Sequence, residues 1–155
     1  MKARVLFVCI HNNARSQMAE AWLEHFHGDR FVAESAGLEP TDLNPWAVLV
    51  MEEAGIDISR NRSKSVLDLL KERDDFSWIV TVCDESSSER CPVFPSQARR
   101  LHWSFPDPAL LKGTLEERID GTRFIRNQIR DRVRSWGDAF KGAPRLSGGD
   151  DDQPN

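Results

Sequence analysis

A cysteine, Cys9, closes the apolar run ARVLFVC, and after five intervening residues an arginine, Arg15, stands where a helical pattern begins. Those two side chains at that spacing suit attack on the central atom of a tetrahedral oxyanion. A loop running from a strand into a helix aims several backbone N–H groups at one point, backed by the positive end of the helix. Here Ile10, His11, Asn12, Asn13, Ala14, Arg15 and Ser16 would form such a bowl, with the planar fork of Arg15 over two of the oxygens. Cys9 would lie at its floor, where positive surroundings favour the nucleophilic thiolate, and Ser16 could donate its hydroxyl to the sulfur. Asn12 and Asn13 suit left-handed or side-chain-bridged turns. The opposing reading makes Cys9 a small buried hydrophobe and Arg15 a solvated charge. An arginine at a helix N-terminus is electrostatically unfavourable unless an anion is there, which favours the oxyanion site.

Three further residues could do chemistry with this loop. Asp107, in the pair Asp107-Pro108, could protonate a leaving oxygen, or simply form a turn. Cys83 and Cys91 lie in TVCDESSSERCPVFP, and three cysteines in a reducing compartment are reactive, metal-binding or inert rather than a disulfide framework. Zinc is disfavoured because Cys83 and Cys91 lack paired C-x-x-C spacing and a second pair. His25 and His27 fall on different helix faces, and His102 reads as a packing residue on a strand. No metal or other cofactor is expected. Redox chemistry fits better. Neighbouring strand ends lie about 4.8 Å apart, inside the roughly 4.4–6.8 Å Cα window of a disulfide. If the first and third strands pair, Cys83 could attack Cys9, and Cys91, in a serine- and charge-rich loop, could swing onto Cys83. The plainer alternative is a buried strand-end thiol and an incidental one.

The elements that would position these residues alternate. ARVLFV is the pattern of a parallel strand covered on both faces. From Ser16 to Phe26 apolar residues recur at helical spacing. RFVAESAG reads as a second strand, and NPWAVLVMEEAG as a helix with Asn44 as N-cap, Pro45 in the first turn and Gly55 past the end. SKSVLDLLKER is a further helix, SWIVTVC a third strand and ARRLHWSF a fourth, nearer an edge. A long helix spans Thr114 to Phe140, with Leu115, Ile119, Ile125, Ile129, Val133, Trp136 and Phe140 on one face and Gly121 as a weak or bent point. Trp46, Trp103 and Trp136 read as core or half-buried. This alternation implies an α/β fold with a parallel, doubly wound sheet, which binds ligands at the carboxyl ends of its strands. One crevice could then hold Cys9, Cys83 and Asp107.

The chain of 155 residues suits one domain over 1–141, followed by a Pro-, Gly- and Asp-rich tail, 142–155, expected to be disordered. Its net charge of −4 argues against general nucleic-acid binding, although three of the charges sit in GGDDDQPN. An anionic ligand therefore needs a local positive site. No apolar run approaches membrane-spanning length, and a cytoplasmic location without a membrane partner is expected. SRNRSK, at residues 59–64, is a basic stretch, either a solvated loop or a rim that attracts anions.

VLFVCIHNNARSQMAEAWL, ESAGLEP, NPWAVLVMEEAGIDIS and WSFPDPA, in that order, resemble the low-molecular-weight protein tyrosine phosphatase superfamily, and within it the thioredoxin-coupled arsenate reductases. The resemblance covers residues 3 to 140. It implies a four-stranded parallel sheet flanked by helices, a Rossmann-like three-layer sandwich. It assigns Cys9 as nucleophile, Arg15 as oxyanion clamp, Asn12 as loop stabiliser, Ser16 as thiolate partner and Asp107 as acid. It also implies a relay from Cys9 through Cys83 to Cys91, reduced by thioredoxin. Arsenate is then the substrate, with phosphate or sulfate as competing anions. His11 stands where many relatives carry glycine. Phosphatases of this group usually place aromatic residues beside the Asp-Pro pair to stack a phenol ring. This chain has DPALL there and no tyrosine anywhere, which favours a small inorganic anion. Some of these reductases hold potassium with residues matching Asn12, Glu20 and Ser35 and an aspartate, whose place Lys64 takes. Its ammonium either replaces the ion and braces Glu20 or is solvated. A tyrosine phosphatase whose extra thiols protect the nucleophile, and a non-catalytic oxyanion or redox sensor, remain as alternatives.

Overall fold

The computed structural model describes residues 2–84 and 96–140. Strands β1 (Ala3–Cys9), β2 (Phe31–Gly37), β3 (Trp78–Thr81) and β4 (Arg99–His102) form one parallel sheet in the order β2-β1-β3-β4. Helices α1 (Arg15–His27), α2 (Pro45–Glu53), α3 (Val66–Glu72) and α4 (Leu115–Asp138) flank it, and a single 3-10 turn, Pro108–Leu110, follows β4. Cys91 and the tail, 142–155, lie outside the described residues.

The unbroken apolar run of β1 is explained by burial on both faces. Val5, Phe7 and Cys9 face one cluster, shared with Met18, Trp22 and Leu23 of α1, Val50 and Met51 of α2, and Ile125, Ile129 and Val133 of α4. Leu6 and Val8 face the other, with Val66 at the start of α3, Phe76 and Ile79. Such side chains contribute about 1.5–3 kcal/mol each on burial, so β1 is anchored from both faces of the sheet. Helices on both faces make the expected three-layer α/β sandwich. With β1 in the middle, the chain leaves towards β2 on one side and later comes back to β3 on the other. Its connections therefore diverge at the carboxyl end of β1, where Cys9 lies.

The helix ends follow their sequence signals. The Asn44 side chain accepts from the N–H groups of Trp46 and Ala47, Pro45 opens α2, and Gly55 lies just beyond it at φ 87°. Thr114 and Glu117 form a reciprocal capping box on α4. At the other end of α4, Arg30 donates to the carbonyls of Phe140 (2.7 Å) and Gly137 (3.2 Å).

Three expectations need correction. Strands β3 and β4 are shorter than the apolar runs around them, each keeping only its ladder-paired residues. Leu115 is 52% exposed, because the buried stripe of α4 starts only at Thr122. α4 runs on through Gly121, where a Cβ would lie 2.8 Å from Leu111 Cδ1, so the glycine admits that leucine against the helix. His102 is exposed rather than packed, and its Nδ1 lies 2.7 Å from Thr81 Oγ1 on the neighbouring strand.

Candidate active site

Cys9 is the last residue of β1 and is buried. Two groups converge on its sulfur. The Asn12 N–H donates to Sγ at 3.1 Å, and Ser16 Oγ lies 3.0 Å away. Ser16 Oγ also accepts from Asn12 Nδ2 at 2.8 Å, which leaves the serine hydroxyl hydrogen available for the sulfur. A thiolate is an acceptor only, and this pair of donors is what it requires.

Around the sulfur, the loop carbonyls are all engaged from outside. The Cys9, Ile10 and His11 carbonyls accept from the N–H groups of Leu38 (3.2 Å), Glu39 (2.7 Å) and Thr41 (3.1 Å), and the Asn13 carbonyl from Asn44 N–H (2.9 Å). In a trans peptide the N–H points opposite to its C=O. The segment after β2 therefore holds the carbonyls away from the centre and turns the intervening N–H groups inward, an arrangement able to receive an anion. Asn12 provides the bend, at φ 52°, the only described non-glycine residue with positive φ. His11 therefore needs no glycine-like backbone, and its ring Nδ1 lies 3.0 Å from the Glu39 carbonyl oxygen. Gly37 at the end of β2 lets the two segments touch. A Cβ there would lie 2.8 Å from both Asn12 N and Ile10 O.

Arg15 is the first residue of α1, whose N-cap, Ala14, makes no side-chain capping bond and whose first turn carries no acidic residue. The helix end is left to attract an anion from elsewhere. The guanidinium is 3% exposed; Nη1 donates to the Phe105 carbonyl at 3.1 Å, and Nη2 lies 3.5 Å from Asp107 Oδ2. Asp107 forms the turn, and its second oxygen is turned towards Arg15. Its Oδ1 accepts from Ala109 N–H at 2.9 Å as cap of the 3-10 turn, and its Oδ2 faces the arginine.

Cys83 is buried two residues past β3, and the preceding Val82 N–H still pairs with the Val8 carbonyl at 2.9 Å. The pairing of β1 with β3 places Cys83 beside the strand end that carries Cys9. The position of Cys91 is outside the described residues.

Among the described residues no group of three or more His, Cys, Asp or Glu side chains could hold a metal ion. A potassium site does not fit the residues present. The Asn12 side-chain oxygen already accepts from Lys64 N–H (2.9 Å) and Gln17 Nε2 (3.2 Å). Burial raises the Glu20 pKa, against the opposing effects of a 2.6 Å hydrogen bond from Ser35 and the positive charge of Lys64. The ammonium that supplies that charge is also 3.4 Å from the Arg62 carbonyl.

Sequence reasoning missed Gln17 and Ser63. Gln17 is fully buried and Ser63 half-buried, and both bond the Asn12 carbonyl, at 3.2 and 2.8 Å. The available signal was a glutamine directly before the apolar Met18 and Ala19 in the buried first turns of α1. The SRNRSK stretch is likewise more than a basic rim, because its backbone ties to the Asn12 loop at Lys64.

The sequence pattern of the low molecular weight phosphotyrosine protein phosphatase family matches residues 4–143. An arsenate reductase of Bacillus subtilis is 38% identical over 138 residues, covering 88% of this chain and 96% of that protein. The crystal structure of an arsenate reductase from Archaeoglobus fulgidus matches with a TM-score of 0.68 at 34% identity, covering 84% of this chain and 95% of the other. A thioredoxin-dependent arsenate reductase from Corynebacterium glutamicum matches with a TM-score of 0.65 at 27% identity, over 90% of this chain and 62% of that one. A strand-end thiol under a ring of inward N–H groups, an arginine fork and an acid on the next loop agree with these likenesses: the chain belongs to the low molecular weight phosphotyrosine protein phosphatase family, alongside its arsenate reductases.

Proposed function

We propose that this protein reduces arsenate to arsenite with three thiols, Cys9, Cys83 and Cys91, and is regenerated by thioredoxin in the cytoplasm. The observation that carries the reading is the Cys9 sulfur, held by two donors beneath inward-facing N–H groups, on a strand paired with the one that leads to Cys83. The names of the relatives support the substrate, and the Corynebacterium structure supports the reductant.

Arsenate binds in the loop of residues 10–16 under the Arg15 fork. The Cys9 thiolate attacks arsenic, a sulfur–arsenic bond forms, and an oxygen leaves as water with a proton from Asp107. The Cys83 thiolate then attacks Cys9 Sγ. The sulfur–arsenic bond breaks, its electron pair stays on arsenic, As(V) becomes As(III), and arsenite departs from a Cys9–Cys83 disulfide. Cys91 attacks Cys83 and releases Cys9 as thiolate. Thioredoxin reduces the resulting Cys83–Cys91 disulfide by exchange, supplying two electrons and two protons. Phosphate and sulfate fit the same bowl but accept no electrons under these conditions, so they compete.

The test is arsenate-dependent NADPH oxidation with thioredoxin and its reductase, beside a glutaredoxin control. Turnover with thioredoxin is expected, and a Cys83→Ser variant should complete at most one cycle. Sustained thioredoxin-driven arsenite release by that variant would refute the relay. One observation favours a second reading: Cys9, Arg15 and Asp107 alone are the set an aryl phosphatase needs. Pro108, Ala109 and the 61%-exposed Leu110 beside Asp107 offer no ring to stack a phenol, which weighs against it. Hydrolysis of an aryl phosphate far faster than arsenate reduction would reverse the preference.

A further inference from the structure

Of the five peptide planes from Cys9 to Ala14, four have their carbonyls anchored by backbone donors of the 38–44 segment. The fifth, between Asn12 and Asn13, is anchored differently. Its carbonyl oxygen accepts from two side chains, Ser63 Oγ at 2.8 Å and Gln17 Nε2 at 3.2 Å. This is also the plane next to the left-handed residue, Asn12 at φ 52°, where the backbone has least intrinsic preference to stay. Gln17 itself is held. Its Nε2 also donates to Asn12 Oδ1 (3.2 Å) and the Arg62 carbonyl (3.1 Å), and its Oε1 accepts from Asn61 Nδ2 (3.1 Å). Three oxygens around one end of the amide and a nitrogen at the other fix its orientation. The hydrogen bonds of the amide go to the Asn12, Asn61 and Arg62 side of the loop, and it is fully buried in the first turn of α1, after the buried Arg15 and Ser16.

We propose that Gln17 and Ser63 are positioning residues for oxyanion binding. By holding the Asn12 carbonyl away from the bowl they aim the Asn13 N–H into it, because the two groups of one trans peptide point in opposite directions. Without them the plane rotates, and a carbonyl dipole replaces an N–H donor opposite the anion. The Asn12 N–H belongs to the preceding plane, whose carbonyl is held by Thr41. Its bond to the Cys9 sulfur therefore survives. The two side chains govern the anion and not the thiol. This inference deepens the proposed function but does not depend on the redox relay, since a non-reducible anion suffices to test it.

The probe is inorganic phosphate, measured by its protection of Cys9 against alkylation with iodoacetamide, a neutral reagent. Ser63→Ala and Gln17→Met are each expected to weaken phosphate binding about tenfold, the range of one lost hydrogen bond. Both should leave the unprotected alkylation rate within about twofold of the parent. Ser63→Thr, which keeps a hydroxyl, should restore the parent affinity. Ser63 is half-buried, so its variants decide the matter should Gln17→Met fail to fold. Phosphate affinity unchanged in Ser63→Ala would overturn the proposal. So would a parallel fall in affinity and alkylation rate, which would mark a general loosening of the loop. Failure of arsenate reduction with these phosphate results intact would count against the relay alone.

Discussion

Replacing Gly37 by alanine tests whether the end of β2 sets the shape of the oxyanion loop. Gly37 does not need a glycine-only backbone; it needs space. The added carbon would meet two backbone atoms, Asn12 N and Ile10 O, at 2.8 Å, about 0.6 Å inside the 3.4 Å at which ordinary contact begins. Neither atom can yield cheaply, because Asn12 N bonds the Cys9 sulfur and Ile10 O bonds Glu39 N–H. Overpacking of this kind costs about 1–3 kcal/mol, and at about 2–4 °C per kcal/mol the melting temperature should fall by roughly 2–12 °C. A misplacement of 1 Å can cost about a hundredfold in rate, so a shift of about 0.6 Å should lower kcat/KM for arsenate roughly fifteenfold. Gly55→Ala is the control. Its φ is 87° with nothing within 4 Å of the added carbon, so it should lose stability by backbone strain and keep parent activity. Thermal melts and the thioredoxin-coupled assay read both. Should Gly37→Ala keep kcat/KM within twofold, or Gly55→Ala lose as much activity, the idea that β2 templates the loop would be wrong.

Further outcomes follow from the same geometry. Arg15→Lys keeps the charge but loses the planar fork and its bond to the Phe105 carbonyl, and kcat/KM should fall about a hundredfold or more; a loss under threefold would contradict the clamp. Glu20 has a folded pKa raised above its usual 4.5 by burial, so the folded state holds the proton more tightly and the parent loses stability as pH rises from 4.5 through the folded value. Glu20→Gln should therefore be no more stable than the parent at pH 4 and gain on it by pH 7.5 in urea unfolding, and a difference independent of pH would refute the assignment. With the Lys64 charge already acting on Glu20, activity should be indifferent to exchanging potassium for sodium at equal ionic strength, and activation by potassium would show that an ion enters after all.

The order of elements was legible because β1, α1 and α4 carry strong patterns: an unbroken apolar run and two helical stripes, one closed by Thr114 and Glu117. Cys9, Arg15 and Asp107 were legible because their chemistry and their places at element ends point to one crevice. What escaped was set by tertiary contact. The last turns of the strands β3 and β4 look apolar yet leave the ladder, and Leu115 fits the stripe of α4 but precedes the part of that helix that meets the core. Gly121 looked like a defect until Leu111 was seen against it. Gln17 and Ser63 meet at a single carbonyl although β2 and α2 separate them along the chain, and no local pattern announces a side chain that bonds a distant peptide plane.

Cys9 ends β1, an interior strand with neighbours on both sides. Val8, just before Cys9, is laddered to Ala36 on β2 and to Thr81 on β3, and the Cys9 carbonyl is tied to Leu38. A sulfur mounted on such a keel has no freedom to chase a second thiol. In the proposed relay, any travel needed to join the sulfurs would then fall to the incoming partners, and the receptor for the next anion would stay assembled while the oxidising equivalents are carried off elsewhere.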